Sequence, residues 1–311
     1  MELNKDADLD ASQVDDQRGS GGGGLGGGGG LGGIPIPIPS GKIGLIITAV
    51  ILIGGLFFGG RSMIGGGDSG SQGGNSDLGA RCVSSSSDPN RFNETDCRNL
   101  LYVNAIQGYW RKAAPQTLGI QYADAQTNFF SQSVNTGCGT ADSGVGPFYC
   151  PADREIFIDL TFYDELKNRF GAEGEFAQPY VLAHEYGHHL QTLNGTEAQV
   201  RRQQERSPDD ANRLSVAMEL QADCLAGVWA AHATEVTDAD GDRLFTQVTE
   251  QDLAQAVDAA EAIGDDTLQK QSGQRVDPDS FTHGSSAQRK EWLQRGYTTG
   301  DPKQCDAFAS A

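Results

Sequence analysis

Apolar residues recur every three or four positions through several segments of the chain, which is the spacing of a helix that buries one face. On this pattern we predict helices over residues 95–112 and 209–232, and we also predict helices over residues 164–170, 179–193, 249–263 and 286–295. The helix at 249–263 has the clearest boundaries, because Thr249 and Asp252 resemble a capping box and Gly264 is a typical stop. The second half of the chain is therefore predicted to be mainly helical.

β-strands are predicted in the middle of the chain. Between residues 154 and 162, Ile156, Ile158 and Leu160 alternate with side chains that point to the opposite face. Residues 118–130 contain β-favouring types and predict one or two further strands, whereas the Gly-rich stretch 138–150 predicts a loop. Together these elements indicate an α+β fold.

The first 80 residues differ from the rest in composition. Residues 1–41 are acidic and then rich in glycine, so we predict a disordered tail. Residues 42–61 contain 18 consecutive uncharged residues between a lysine and an arginine, which predicts one transmembrane helix. A cleaved signal peptide is the rival interpretation, but it would normally begin near the N-terminus. A flexible tether (62–80) and one folded domain (81–311) are expected to follow.

The net charge and the positions of the cysteines limit which partners and which cellular compartment are expected for this protein. The net charge of −19 argues against a nucleic-acid partner, because phosphate binding needs a basic patch. All six cysteines follow the apolar run and no C-x-x-C motif occurs, which favours disulfides in an oxidising compartment over a redox protein. We therefore expect a cell-membrane protein with an extracytoplasmic C-terminal domain and a short cytoplasmic tail.

The pairing of the six cysteines is open, because they allow 15 connectivities. As a working hypothesis we pair Cys82 with Cys97, Cys138 with Cys150, and Cys224 with Cys305.

Candidate chemistry is concentrated in the segment His184-Glu185-Tyr186-Gly187-His188, which has the pattern H-E-x-x-H on a predicted helix. Residues four apart on a helix share a face, so His184 and His188 can bind one zinc ion through neutral imidazoles. Glu185 can then reach a water on that ion and act as general base. The alternative is a surface helix with a polar face, but the apolar flanking residues favour burial.

A catalytic zinc ion usually has a third protein ligand, and Glu219 is the best candidate. Glu219 and Asp223 lie four residues apart, so one carboxylate can bind zinc while the other accepts a hydrogen bond from a ligand histidine. The alternative is a solvated acidic face. The metzincin pattern is excluded, because Gln191 and Asn194 stand where it needs glycine and histidine. His189 lies about 100° round the helix and is expected to be a partly buried or surface residue.

Three stretches, HEYGHH, ELQADCLAGVWA and SFTHGSSAQR, resemble the putative neutral zinc metallopeptidase family of membrane-anchored bacterial proteins, as does GPFYCPADREIFIDLTFYDEL. The resemblance covers residues 80–310 and extends, more distantly, to gluzincins. It implies a zincin-like or minigluzincin-like core, in which a small, mainly antiparallel sheet packs on the two ligand helices. It also implies His184, His188 and Glu219 as ligands of one zinc ion, Glu185 as general base and Asp223 as the partner of a ligand histidine.

The same resemblance suggests roles for residues near the C-terminus. Gluzincin-like peptidases often use a histidine or tyrosine to stabilise the oxyanion, which implies that role for His283 in the loop 279–285, against the alternative of a structural histidine. Arg289 could pair with Glu219 or Asp223, although a helix-surface arginine is the preferred interpretation. By analogy with other peptidases, the strand 155–162 is expected to be an edge that pairs with an extended peptide.

The sequence thus predicts a membrane-anchored zinc endopeptidase that acts on a peptide or protein substrate in the bacterial envelope. The alternative is a catalytically silent zinc-binding scaffold for envelope proteins, which would have no need of Glu185. Oligomeric state and substrate identity are left open.

Overall fold

The computed structural model describes residues 1–19, 74–85 and 88–310. In this part of the chain the helices are α1 (Gly74–Cys82), α2 (Thr95–Ala113), α3 (Phe162–Asn168), α4 (Ala177–Leu193), α5 (Thr196–Arg206), α6 (Ala211–His232), α7 (Glu250–Ala262), α8 (Asp265–Gln271) and α9 (Ser286–Thr299). The strands are β1 (Glu2–Leu3), β2 (Val14–Asp16), β3 (Thr127–Phe129), β4 (Ser133–Thr136), β5 (Gly139–Asp142), β6 (Phe148–Cys150), β7 (Glu155–Ile158) and β8 (Phe245–Gln247).

All six helices expected from apolar spacing are present, with ends displaced by a few residues. The end predicted for the last helix, at residue 295 before Gly296, is wrong: α9 continues to Thr299 and ends where Gly300 adopts a left-handed conformation. Three of the described helices were not predicted: α1, which lies partly in the expected tether, α5 and α8. Helix α5 buries only Val200 and so has no apolar stripe, and α8 is only seven residues long.

The central sheet has the order β2-β3-β7-β6. Strand β2 is parallel to β3, β3 is parallel to β7, and only the β6–β7 pairing is antiparallel. The expectation of a mainly antiparallel sheet is therefore wrong for this sheet. The physical reason is that β2 and β3 are separated by more than 100 residues, so no tight turn forces them to run in opposite directions.

The stretch 138–150, predicted to be a loop, contains β5, a short 3₁₀ turn and β6. Strands β4 and β5 form a separate antiparallel hairpin whose buried residues, Val134 and Ala141, contribute to a small second core. Three disulfides join Cys82 to Cys97, Cys138 to Cys150, and Cys224 to Cys305, as hypothesised. The hairpin is thus covalently held to the edge of the sheet.

Residues 1–19, which we call the N-terminal arm, are part of the folded domain. Strand β2 extends the central sheet, β1 pairs with β8, and Ala7, Leu9 and Val14 enter the main core. The prediction of disorder is therefore wrong for these residues. The arm contains few apolar side chains, but its polar ones find buried partners: Gln107 donates to Gln13 at 2.9 Å.

Charged groups also attach the arm to the helices. The Asp96 carboxylate of α2 accepts hydrogen bonds from Arg18 at 2.7 Å and from Arg81 at 2.9 Å. One buried carboxylate thus joins the end of the arm, α1 and the start of α2. Burial opposes the ionised form of Asp96, but the two guanidinium groups lower its pKa below the ordinary value.

The tail beyond the arm (20–41), the predicted transmembrane helix (42–61) and residues 62–73 of the tether lie outside the described residues. The end of the predicted tether is helical, because α1 begins at Gly74. Among the helices that the structure describes, none is long and apolar enough to cross a membrane.

The arm gives a direct test of its place in the fold. Val14 is fully buried, so Val14→Asp should lower the free energy of unfolding by at least about 3 kcal/mol, because a charge would lose its water without gaining a partner. Lys5→Asp introduces a carboxylate at an exposed position of the arm and should change the free energy of unfolding by less than about 0.5 kcal/mol. Urea denaturation followed by tryptophan fluorescence measures both, and equal effects would show that the arm is not packed.

Candidate metal centre

Helix α4 carries the H-E-x-x-H residues and packs closely against α6. The contact depends on Gly187, where an added Cβ would lie 2.9 Å from Cα of Ala222. Without a side chain at this position, the two backbones approach closely enough for residues of α6 to reach the histidines of α4. The glycine within the motif therefore has a packing role that its spacing alone did not reveal.

Three side chains of these helices point their ligand atoms at one spot: His184, His188 and Glu219. The Nε2 atoms of the two histidines are 3.2 Å apart, and the carboxylate oxygens of Glu219 lie 3.1 Å from His184 Nε2 and 3.4 Å from His188 Nε2. A tetrahedral zinc ion with bonds of 2.0–2.1 Å needs ligand atoms about 3.3 Å apart. The donor set and its spacing therefore fit zinc.

The charged groups around the two imidazole rings also favour a cation at this site. Burial alone would lower the pKa of His184, but Asp223 and Glu219 raise it to about 10. Burial likewise opposes protonation of His188, and Glu219 raises its pKa. The pKa of Glu219 is held well below its ordinary value despite burial, because His188 faces it. The negative charge of Glu219 and Asp223 that raises these pKa values would also favour a divalent cation, which binds the rings when they lose their protons.

Behind this cluster, Asp223 of α6 is fully buried and makes four hydrogen bonds. It faces His184 Nδ1 at 2.8 Å and accepts from the Tyr180 hydroxyl at 2.7 Å. Arg289 of α9 donates to both of its oxygens, from Nε at 2.8 Å and from Nη2 at 3.0 Å. Burial would raise the pKa of Asp223, but the Arg289 guanidinium and His184 lower it to about 2. The carboxylate is therefore ionised and holds His184 Nδ1 as a donor, leaving Nε2 toward the cluster.

Glu185 lies in the wall of a cavity of about 90 Å³ beside His184 and His188. Burial raises its pKa above the ordinary value, although the two imidazoles and the Tyr149 backbone amide oppose the rise. The apolar part of the wall is formed by Val145, Pro147, Phe148, Phe162, Val181 and Ile263. A carboxylate of raised basicity in a largely apolar cavity is suited to accepting and returning a proton.

His283 lines the same cavity, on the loop between α8 and α9. Asp265 fixes this loop: its Oδ2 accepts hydrogen bonds from the backbone amides of Thr282 at 2.7 Å, His283 at 2.7 Å and Gly284 at 3.0 Å. The Nδ1 atom of His283 lies 3.3 Å from Asp265 Oδ1, so its Nε2 is the ring nitrogen left for a ligand in the cavity. Burial opposes ionisation of Asp265, but these hydrogen bonds lower its pKa.

Two expectations about neighbouring elements are decided by the geometry. His189 is turned away from the cluster and is fully buried, with its ring nitrogens near Tyr149 Oη and the Ala123 carbonyl. The strand expected to be an exposed edge is β7, and this expectation is wrong because β7 pairs with β3 on one side and β6 on the other. The edge of the central sheet next to the cavity is β6.

Four residues of the site were not assigned from the sequence. Tyr180 and Gln191 lie four before His184 and three after His188, so helical spacing was an available signal for both. Arg289 was expected at the helix surface but is 2% exposed, and Asp265 carried no signal. Both reach the site only because distant segments fold together.

The chain as a whole matches the model of one protein family, described as "Putative neutral zinc metallopeptidase", over residues 4–308. It therefore belongs to this family of zinc metallopeptidase-like proteins. The match begins within the N-terminal arm and includes every residue of the site.

Among relatives, the uncharacterized protein YpfJ of Escherichia coli K12 is 41% identical over 275 residues, which are 88% of this chain and 89% of that protein. The uncharacterized protein Rv2575 of Mycobacterium tuberculosis is 41% identical over 226 residues, 72% of this chain and 73% of that protein. No solved structure matches the chain.

The close approach at Gly187 can be tested by one methyl group. Gly187→Ala should push α6 away from α4, lower the free energy of unfolding by about 1–3 kcal/mol and weaken metal binding. Gly79→Ala in helix α1 is the matched control, because its new Cβ would lie 3.9 Å from the nearest atom, the Cβ of Ala11, and the change should be neutral or stabilising. Denaturation and zinc titration measure both variants, and a neutral Gly187→Ala would contradict the packing argument.

If Arg289 balances the charge of Asp223, its removal should cause a large, pH-dependent loss of folding stability. Arg289→Met leaves Asp223 without its cation and should cost about 3–5 kcal/mol, whereas Arg295→Met, at a position 40% exposed, should cost less than about 1 kcal/mol. The lowered pKa of Asp223 contributes stability that is present above pH 3.8 and is lost as the pH falls through about 2. Denaturation between pH 2 and 7 should show a smaller acid loss in Arg289→Met, and parallel curves would refute the pairing.

Proposed function

We propose that this protein is a zinc-dependent endopeptidase in which His184, His188 and Glu219 hold the metal and Glu185 is the general base. The observation that carries the proposal is the convergence of the two histidine Nε2 atoms and the Glu219 carboxylate, with contacts of 3.1–3.4 Å, beside the buried carboxylate of Glu185 in a cavity. Membership of a zinc metallopeptidase family supports it independently.

A zinc ion held by His184, His188 and Glu219 would act as a Lewis acid for the scissile carbonyl and for water at the site. Glu185 accepts the proton of the attacking water, for which its raised pKa is suited, and returns it to the leaving amine. His283 donates a hydrogen bond from Nε2 to the developing oxyanion, a contact worth about 3 kcal/mol when well aimed. Asp265 holds the ring of His283 by its other nitrogen.

Asp223 keeps His184 in the tautomer that a metal ligand needs. Its carboxylate accepts the Nδ1 proton of His184 and is itself held by Arg289 and Tyr180. Such partners of a ligand histidine commonly contribute 10–100-fold to metal affinity.

The cavity and its rim favour an extended peptide as substrate. Strand β6 is the sheet edge at the cavity, which is the position from which a strand can pair with an extended peptide. The wall contributed by Phe148, Phe162 and Val181 favours an apolar side chain next to the cleaved bond.

The cellular setting is proposed from two features. The three disulfides support a position outside the cytoplasm. The uncharged run within residues 42–61 supports attachment to the cell membrane.

A second candidate is a zinc-binding scaffold for envelope proteins that has no catalytic activity. Glu185 separates the two functions, because a scaffold has no use for a buried base in its cavity. The raised pKa of this group, in a cavity that also contains His283, favours the peptidase.

The test compares two isosteric substitutions in the full chain. Glu185→Gln should retain zinc and lose about 10²–10⁴-fold in turnover, because the base is removed and the ligands are kept. Glu219→Gln should strongly lower zinc affinity, because a ligand is removed, and activity should be lost as a result. Zinc is measured by titration, and cleavage of a library of unfolded peptides is measured by mass spectrometry.

Cleavage that persists in Glu185→Gln would refute the assigned base. Full zinc binding by Glu219→Gln at limiting metal would refute the assigned ligand. Zinc binding by the unaltered protein without any cleavage would favour the scaffold.

A further inference from the structure

We propose that Gln191 positions the ring of His188. Gln191 is itself held by Gln221, and the two side chains form a hydrogen-bonded amide chain. The inference deepens the proposed zinc site and rests on it for the meaning of metal affinity. The Gln191 side chain is completely buried, and its Oε1 lies 2.8 Å from Nδ1 of His188. No water can therefore take its place at that nitrogen.

The orientation of the Gln191 amide is fixed by two acceptors. Its Nε2 donates to the Met218 carbonyl at 2.7 Å and to Gln221 Oε1 at 3.0 Å. A rotated amide would place its oxygen against the Met218 carbonyl, which cannot donate. The oxygen of Gln191 must therefore face His188.

Gln221 is fixed in the same way. Its Nε2 donates to the Cys305 carbonyl at 3.0 Å, so its oxygen is the atom that faces Gln191. Cys305 is bonded to Cys224 of the same helix α6, which keeps the carbonyl within reach. The amide chain thus runs from a covalently held backbone carbonyl to a ring of the metal cluster.

The chemical consequence concerns the tautomer of His188. Because Gln191 offers only an acceptor, the Nδ1 atom of His188 must carry the proton, and the lone pair is then on Nε2. This is the nitrogen that lies 3.2 Å from His184 Nε2 and 3.4 Å from Glu219. A neutral amide does for His188 what the Asp223 carboxylate does for His184.

The test uses Gln191→Met, which keeps the length of the side chain and removes the amide. Zinc affinity, measured by competition with a chelator in the full chain, should fall roughly 10–100-fold. Gln199→Met is the matched control, because Gln199 is exposed on α5, and its affinity should not change. Gln221→Met should lower affinity only a few-fold, because the Met218 carbonyl still orients Gln191.

The double variant Gln191→Met/Gln221→Met should equal Gln191→Met alone, because Gln221 acts only through Gln191. Additive losses would overturn the amide chain. If Gln191→Met does not fold, the few-fold loss in Gln221→Met decides, and no loss there overturns the proposal.

A spectroscopic readout separates positioning from packing. The ¹⁵N spectrum of the histidine rings in zinc-free protein should show an Nδ1–H group of His188 that donates to Gln191 Oε1. Gln191→Met should shift this Nδ1 resonance, and Gln199→Met should not. An unchanged spectrum in Gln191→Met would overturn the proposal.

Neither readout uses peptide cleavage. A protein that binds zinc without cleaving peptides would refute the proposed activity and leave this test intact. A protein that binds no zinc would refute the metal site, and the ring spectrum would still decide the role of Gln191.

Discussion

The site depends on one buried carboxylate. Asp223 has no contact with water, so its charge must be balanced by protein groups, and those groups come from different helices: His184 and Tyr180 from α4, and Arg289 from α9. The three helices can meet there only because they approach closely. At the α6–α9 contact, an added Cβ on Gly296 would lie 1.9 Å from the Cys224 carbonyl oxygen. The charge balance and the close glycine contacts therefore depend on each other, and both set the positions of the residues in the candidate metal centre.

The part of the site that sequence predicts is the part encoded by helical spacing. His184, Glu185 and His188 lie within one turn, and Glu219 and Asp223 within another, so their shared faces follow from 3.6 residues per turn. The structure places all five where that geometry requires. Arg289 and Asp265 could not be found in this way, because nothing local distinguishes a buried arginine that meets a carboxylate 66 residues away from one on a helix surface.

In the fold, as in the site, local patterns were predicted from the sequence and non-local contacts were not. Apolar periodicity predicted the long helices, which need a buried stripe, and failed for α5, which has almost none. Strand pairing is non-local, so the sequence showed that β7 is a strand but not that β6 covers its free edge. The N-terminal arm was missed because its few buried apolar residues form no periodic pattern, and because its partners on β3 and α2 are distant in sequence.

The arm has a topological consequence. Strands can form hydrogen bonds only when they share a compartment, and β2 of the arm lies in one sheet with β3 and β7. The arm and the domain that contains the candidate metal centre must then fold on the same side of a membrane. Arg18 at the end of the arm and Arg81 of helix α1 also bind the same carboxylate. The topology expected from the sequence, with the arm in the cytoplasm and the domain outside, is incompatible with this sheet.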